Sequence, residues 1–162
     1  RALEGVGVDE VGLKWPNDLL CRDQKLGGIL LEFGGESSGP CQVVTGVGLN
    51  VTMPKEPALD IDQPWTDLTT VLGLGLSRNR LAARVLEELL PVLERFESEG
   101  GSPVDDWKRY DLTAGRAVAL RLPDRVVTGT ARGVDASGAL LLEGKGGLQR
   151  FTAGEVSLRF EP

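Results

Sequence analysis

Lys14, Asp18 and Lys25 fall within twelve residues of one another, in the stretch GLKWPNDLLCRDQKLGGILLE that spans residues 12–32. A Trp15-Pro16-Asn17 corner separates the first lysine from the aspartate, and the pair Gly27-Gly28 follows the second lysine. An ammonium group is a compact positive charge suited to a carboxylate or a phosphate. Asp18 could orient an amine nucleophile or accept its proton, and glycines in a strand let backbone approach a ligand closely. Taken singly, a strand lysine is an ordinary solvated edge residue and Gly-Gly an ordinary bulge. Two ammonium groups, one carboxylate and a Pro-Asn turn in so short a stretch point instead to binding an anion and handling an amine.

The composition narrows the chemistry further. The 162 residues include no histidine, which removes the usual general base, the commonest metal ligand, and any Ser-His-Asp or Cys-His mechanism. Catalysis has to run on Lys, Arg, Asp, Glu, Asn and backbone N–H groups. A net charge of −6 argues against a nucleic-acid binder, which normally carries a basic face. The longest apolar runs are far short of the ~20 residues that span a bilayer. No cationic and apolar leader opens the chain, and Cys21 and Cys41 have no metal-site spacing, so two free thiols in a reducing cytoplasm are expected. The chain starts at Arg1, and RALEGVGVDE reads as a helix tail entering a turn at Gly5 and Gly7, so a preceding segment is expected.

Positioning these residues needs a sheet and its supports. Strands are predicted near Val11–Trp15, Leu19–Arg22 and Leu26–Phe33, with a tight connection at Asp23-Gln24. GGESSGP closes a hairpin, and CQVVTGVGLNV returns as a nearly continuous apolar strand, which predicts burial. Residues 52–65 hold three prolines and no period, and read as a long loop of the kind that usually has a function. Ser77 caps an amphipathic helix with Leu81, Val85, Leu89, Val92 and Phe96 on one face and a kink expected at Pro91. A short helix restarts at Ser102-Pro103 and runs through Trp107 and Tyr110. Glutamates 87, 88, 94, 97 and 99 make a solvated helix face, and Trp15 and Trp107 are packing residues.

The texture then changes. Residues 1–113 carry 11 Lys/Arg against 19 Asp/Glu, whereas residues 114–162 carry 7 against 5. The second zone shows short β segments with turns at Pro123-Asp124, Asp135–Gly138 and Gly144–Gly147, which predicts a small SH3-like barrel. The expected fold is α+β: a mixed sheet backed by helices over residues 1–113, then the barrel over 114–162.

LKWPND, followed seven residues after its Asp by KLGGILLE and then by GVGLNV, resembles the biotin protein ligases, and the likeness extends to DASGALLLEG and GEVSLR of the barrel. The resemblance implies a class II synthetase-like ligase core. It also implies a two-step reaction, in which biotin and Mg-ATP give biotinyl-5′-AMP and the acyl group then passes to a lysine of biotin carboxyl carrier protein. Lys25 matches the lysine that contacts biotin and the activated carboxyl group, with Asn17, Gly27 and Gly28 beside it. Lys14 is assigned to electrostatic support and Asp18 to the incoming carrier lysine. Asn50 matches the residue that hydrogen-bonds adenine, and Trp65 the aromatic that covers it. Glu155 and Arg159 match barrel positions linked to ATP use, and no protein ligand for Mg²⁺ is identified. Family members carry upstream an arginine/glycine-rich loop of GRGRxGR type. No such run occurs here, so the fragment alone is expected to be weak or inactive, marginally stable and prone to aggregate. Two other readings remain open. One is a lipoate ligase, which KWPND and the barrel disfavour. The other is a non-catalytic module that binds a carrier protein, or dimerises through the edge Leu30–Gly34.

Overall fold

The computed structural model describes residues 1–35, 41–54, 63–99, 104–154 and 156–161. The architecture is α+β, built on two antiparallel sheets. In the first, β1 (Val11–Lys14), β2 (Asp18–Cys21), β3 (Gln24–Gly35) and β4 (Cys41–Leu49) lie side by side in that order. The β1–β2 hairpin sets Lys14 opposite Asp18, and the Trp15–Pro16 peptide in its corner is cis. Two isolated bridges, Leu13 with Asp111 and Lys25 with Trp65, are parallel and make the pairing mixed.

Two boundaries move from their predicted places. Trp15 lies in the corner rather than in β1, and Arg22 lies in the turn rather than in β2. Arg22 and Asp23 have φ of 51° and 60°, as in the type I′ turn whose twist suits a two-residue hairpin. Neither residue type advertises positive φ as Asn-Gly would, so the turn is hard to see in the sequence.

A helical layer backs this sheet at one end. Leu68 of α1 (Leu68–Leu72) and Leu81 of α2 (Arg78–Glu99) join Leu3, Val8, Cys21 and Leu26 in one buried cluster. Ser77 caps α2 as predicted, its Oγ accepting from Arg80 N at 3.4 Å. The helix continues through Pro91 to Glu99. Of its predicted face, Leu81 is buried, Val85, Leu89 and Val92 are half-buried, and Phe96 is exposed. The cap expected at Ser102-Pro103 lies outside the described residues.

The apolar strand predicted to be buried is exposed instead. β4 is the edge of its sheet, and Val44 and Phe33 of the β3–β4 hairpin are 63% and 69% exposed. Leu30 and Leu31 share that exposure. An apolar run shows that a strand gains from burial, but not whether a layer of the same chain covers it. The edge Leu30–Gly34 pairs with β4 on one side, and among the described residues no strand pairs its other side.

α3 (Val104–Tyr110) leads into the second sheet: β5 (Ala117–Arg121), β6 (Val126–Val134), β7 (Leu140–Gly144), β8 (Gly147–Phe151) and β9 (Ser157–Phe160), ordered β8-β7-β6-β5-β9. Its three tight turns fall where Pro123-Asp124, Asp135–Gly138 and Gly144–Gly147 predict them. Asp135 organises the second by accepting from Ser137 N and Ala139 N. The core of this SH3-like unit contains Val118, Leu120, Ala131, Leu140, Leu142 and Leu158, with Trp107 packed against it. It also contains Trp15, a residue from the other sheet, only 2% exposed and donating from Nε1 to Gly138 O at 3.0 Å. The barrel is tied to the first sheet twice more. Leu112 N donates to Leu13 O at 2.9 Å, and Arg116 pairs with Asp23 at 2.7 Å while stacking on Phe160. Among the described residues no helix is long and apolar enough to cross a membrane.

Trp15 is therefore the tightest link between the two sheets. Trp15→Ala removes a buried indole and its hydrogen bond, and should cost about 3–5 kcal/mol. Urea denaturation checks this: a loss below about 1 kcal/mol would show that the barrel core closes without the indole.

Candidate functional site

The β1–β2 corner brings the chemical residues together. Lys14 ends β1, Asp18 begins β2, and the following hairpin returns Lys25 on β3 beside them. A register shift between Leu19 and Leu20 pairs them with Gly27 and Lys25, leaving Leu26 as the extra residue of a bulge. Leu26 goes to the core and is fully buried, while Lys25 reaches the site.

Asp18 holds both lysines. Its Oδ2 lies 2.8 Å from Lys14 Nζ and its Oδ1 lies 2.6 Å from Lys25 Nζ. The side chains differ in access: Lys14 is 6% exposed, Asp18 12% and Lys25 33%. Burial alone would push the Asp18 carboxyl up, but the bonds to Lys14 and Lys25 outweigh it and hold the group below the usual carboxylate range. The cluster is two ammonium groups around one carboxylate, so a single positive charge is left over, carried by the more accessible Lys25.

Lys25 stands at an open groove of about 630 Å³, whose lining includes Asn17, Asp18, Gly27, Gly28, Gly46, Gly48 and Asn50. The glycines make close approach possible. A Cβ on Gly27 would sit 2.3 Å from Gly48 O, and one on Gly28 would sit 3.3 Å from Asn17 O. Gly27 is thus required by strand packing, while Gly28 pairs with Gly48 across the groove floor. Gly46 and Gly48 stand in the GVGLNV motif but were not among the expected site residues. The available signal was their spacing of two, which puts both on one face of a strand.

The segment after the long loop docks on the same strand. Lys25 N donates to Pro64 O and Thr66 N to Lys25 O, both at 2.9 Å, which sets the Trp65 backbone alongside Lys25. Asn50 fastens this junction, its Nδ2 donating to Lys25 O at 3.3 Å and to Thr66 O at 3.1 Å. Asp67 caps α1 by accepting from Thr70 N and takes Met53 N on its other oxygen. Gln63 was not anticipated, yet its Oε1 accepts from Lys14 Nζ at 3.1 Å. No sequence signal joins residues 49 positions apart.

Arg159 does not line the large groove. It lies on β9 and, with Ser157, borders a second cavity of about 230 Å³ between sheet and barrel, where Lys14, Asn17 and Gln63 form the facing wall. Glu155 and the part of the long loop from 55 to 62 lie outside the described residues. Asp18 is the carboxylate that lines the groove, and each of its oxygens already accepts from one ammonium group. Among the described residues no three His, Cys, Asp or Glu side chains gather to hold a metal.

Fold and cluster define a two-part chain, an α+β sheet core with a lysine–aspartate–lysine site and an SH3-like barrel behind it. The family described as Biotin protein ligase C terminal domain matches residues 113–159. The chain is 41% identical over 160 residues to the bifunctional ligase/repressor BirA of Escherichia coli, covering 98% of this chain and 50% of that protein. It is 39% identical to the biotin–[acetyl-CoA-carboxylase] ligase of Mycobacterium tuberculosis, covering 91% of this chain and 53% of that protein. Among solved structures, the biotin protein ligase of Aquifex aeolicus in complex with biotin and ATP superposes with a TM-score of 0.80 at 27% identity, covering 99% of this chain and 66% of that one. Over nearly its whole length the chain matches the C-terminal portion of biotin protein ligases. It spans about half the length of the curated relatives it matches.

The buried cluster makes stability depend on pH. The folded carboxyl of Asp18 is lowered from an unfolded value near ~3.9, so its contribution is complete above about pH 4 and is lost as pH falls through the folded pKa. Asp18→Asn leaves Lys14 buried without its counter-charge and should cost about 3 kcal/mol or more at pH 7. The gap between variant and wild type should narrow on acidification. Urea midpoints measured from pH 7 to pH 2 check it, and a gap that stays constant would contradict the assignment.

Proposed function

We propose that this chain supplies the carboxyl-side half of an ATP-dependent biotin ligase site. In this reading biotin is activated as biotinyl-5′-AMP, and the biotinyl group then passes to a lysine of biotin carboxyl carrier protein. The observation that carries the proposal is the Asp18-centred pair of lysines, with the leftover positive charge on Lys25 at the mouth of a glycine-floored groove. The resemblance to an Aquifex aeolicus ligase whose structure contains biotin and ATP supports the same choice of substrates.

In the first step a biotin carboxylate oxygen attacks the α-phosphorus of ATP, and pyrophosphate leaves. The Lys25 ammonium meets the charge shared by that carboxyl group and the phosphate, where a fixed cation lowers the barrier. In the second step the carrier amine attacks the acyl carbon, and AMP leaves. That amine has a pKa of ~10.4 in water and must shed a proton. Asp18 is held well ionised, which makes it a poor proton store but a good acceptor for orienting the amine. Asn50 offers its Oδ1 to the adenine amino group, and Trp65 offers an aromatic face beside it. Arg159 acts on the nucleotide from the barrel side, and Glu155 is assigned to the same nucleotide by its place in the sequence motif. The division at 113/114 separates the site-bearing sheet from this buttress. Magnesium would come with the ATP phosphates, and no residue of this chain is assigned to it. A cytoplasmic setting suits the buried thiol of Cys21, whose titration burial pushes up.

A second reading has its own observation. The exposed Leu30, Leu31, Phe33 and Val44 on a long hairpin suit docking to a carrier protein or to a second copy rather than catalysis. One titration separates the two. A non-hydrolysable biotinyl-5′-adenylate analogue, followed by calorimetry, should bind the chain, and Lys25→Ala should weaken binding at least tenfold by removing a charge-assisted contact. A well-folded chain that takes up no analogue would mean that the upstream arginine/glycine-rich segment is indispensable for binding, or that only the docking role is left.

A further inference from the structure

We propose that Gln63 is a positioning residue for this site: its side-chain carbonyl, with Asp18, fixes the Lys14 ammonium, so that seating residues 63–66 and presenting the paired positive charge become one coupled event. The inference rests on the function proposed above and adds a residue to it.

The argument starts from how Lys14 is satisfied. Its side chain is 6% exposed and its ammonium carries three donors, so water is a poor substitute for a lost acceptor. Asp18 Oδ2 takes one donor at 2.8 Å and Gln63 Oε1 takes another at 3.1 Å. Ser157, across the small cavity, already accepts from Arg159. The segment that carries Gln63 also grips Lys25, by backbone bonds through Pro64 and Thr66. One four-residue stretch therefore holds Lys14 by a side chain and Lys25 by its main chain. If that stretch shifts, both cations lose their settings together.

The residue type fits the same reading. A glutamine acceptor is neutral, so the Lys14–Asp18–Lys25 cluster keeps its single positive charge. A carboxylate at the same reach would hold Lys14 equally well but cancel that charge, and with it the attraction for an anion.

The test uses the whole chain and two near-isosteric variants. An ammonium that is hydrogen-bonded and shielded exchanges its protons slowly enough for its ¹⁵N-coupled signal to be seen by NMR. The Lys14 signal, assigned with Lys14→Arg, should be present in wild type, lost in Gln63→Met and restored in Gln63→Glu. Affinity for the biotinyl-adenylate analogue should fall about tenfold or more in Gln63→Met, as expected when an acceptor to a charged group is removed. It should fall in Gln63→Glu as well, although the Lys14 signal returns. A merely structural role would not separate signal from affinity in this way. A Lys14 signal in Gln63→Met identical to wild type overturns the inference, and so does an unchanged affinity. If wild type itself does not bind the analogue, the carboxyl-side half does not suffice as a binding site, while the Lys14 signal needs no ligand and still decides whether Gln63 positions Lys14.

Discussion

A single carboxylate shared by two ammonium groups is the constraint on which the rest of the site depends. Asp18 is nearly buried, and a buried charge is tolerated only where partners replace its hydration. Lys14 and Lys25 do so, one on each oxygen, and bringing them there dictates the backbone: a corner after Lys14, a left-handed two-residue turn after Cys21, and a bulge at Leu26. The glycines follow from the same demand. Gly27 has no room for a Cβ because β4 passes close behind it, and four glycines are among the residues that line the groove.

Adjacent residues divide the labour at the corner. Lys14 turns into the charge cluster, while Trp15 enters the hydrophobic core of the barrel. The indole bond to Gly138 therefore links the barrel directly to the residue next to the site, and the Arg116–Asp23 pair braces the turn between β2 and β3 from the same side. A barrel fastened in this way packs directly against the corner that sets Lys14. It also contributes one wall of the small cavity through Ser157 and Arg159.

The β3–β4 hairpin obeys a different logic. Its strands are apolar on both sides of the pleat, yet Leu30, Phe33 and Val44 face solvent. Apolar surface of that extent is characteristic of an interaction site. The half of α2 that carries Leu86, Leu90, Leu93 and Phe96 is similarly uncovered. The groove with the charged cluster shares Leu30 and Val47 with the exposed hairpin surface and extends toward the end of the strands where Leu26 and Leu68 anchor the helical layer.

What the sequence determined by itself was local or motif-bound. The spacing of Lys14, Asp18 and Lys25, the Ser77 cap and the three barrel turns could all be read because each depends on neighbours in the chain or on residue type. The α+β class and the SH3-like C-terminal part were legible for the same reason. Tertiary structure decided what depends on distant partners. It set Asp18 as the common partner of both lysines, Gln63 as the second acceptor of Lys14, and Asn50 as the clasp that ties Lys25 to Thr66. It sent Trp15 into a core built from residues more than a hundred positions away. It also left β4 exposed, because hydrophobicity records the free energy a strand gains on burial, while only the three-dimensional arrangement of layers determines whether that burial occurs.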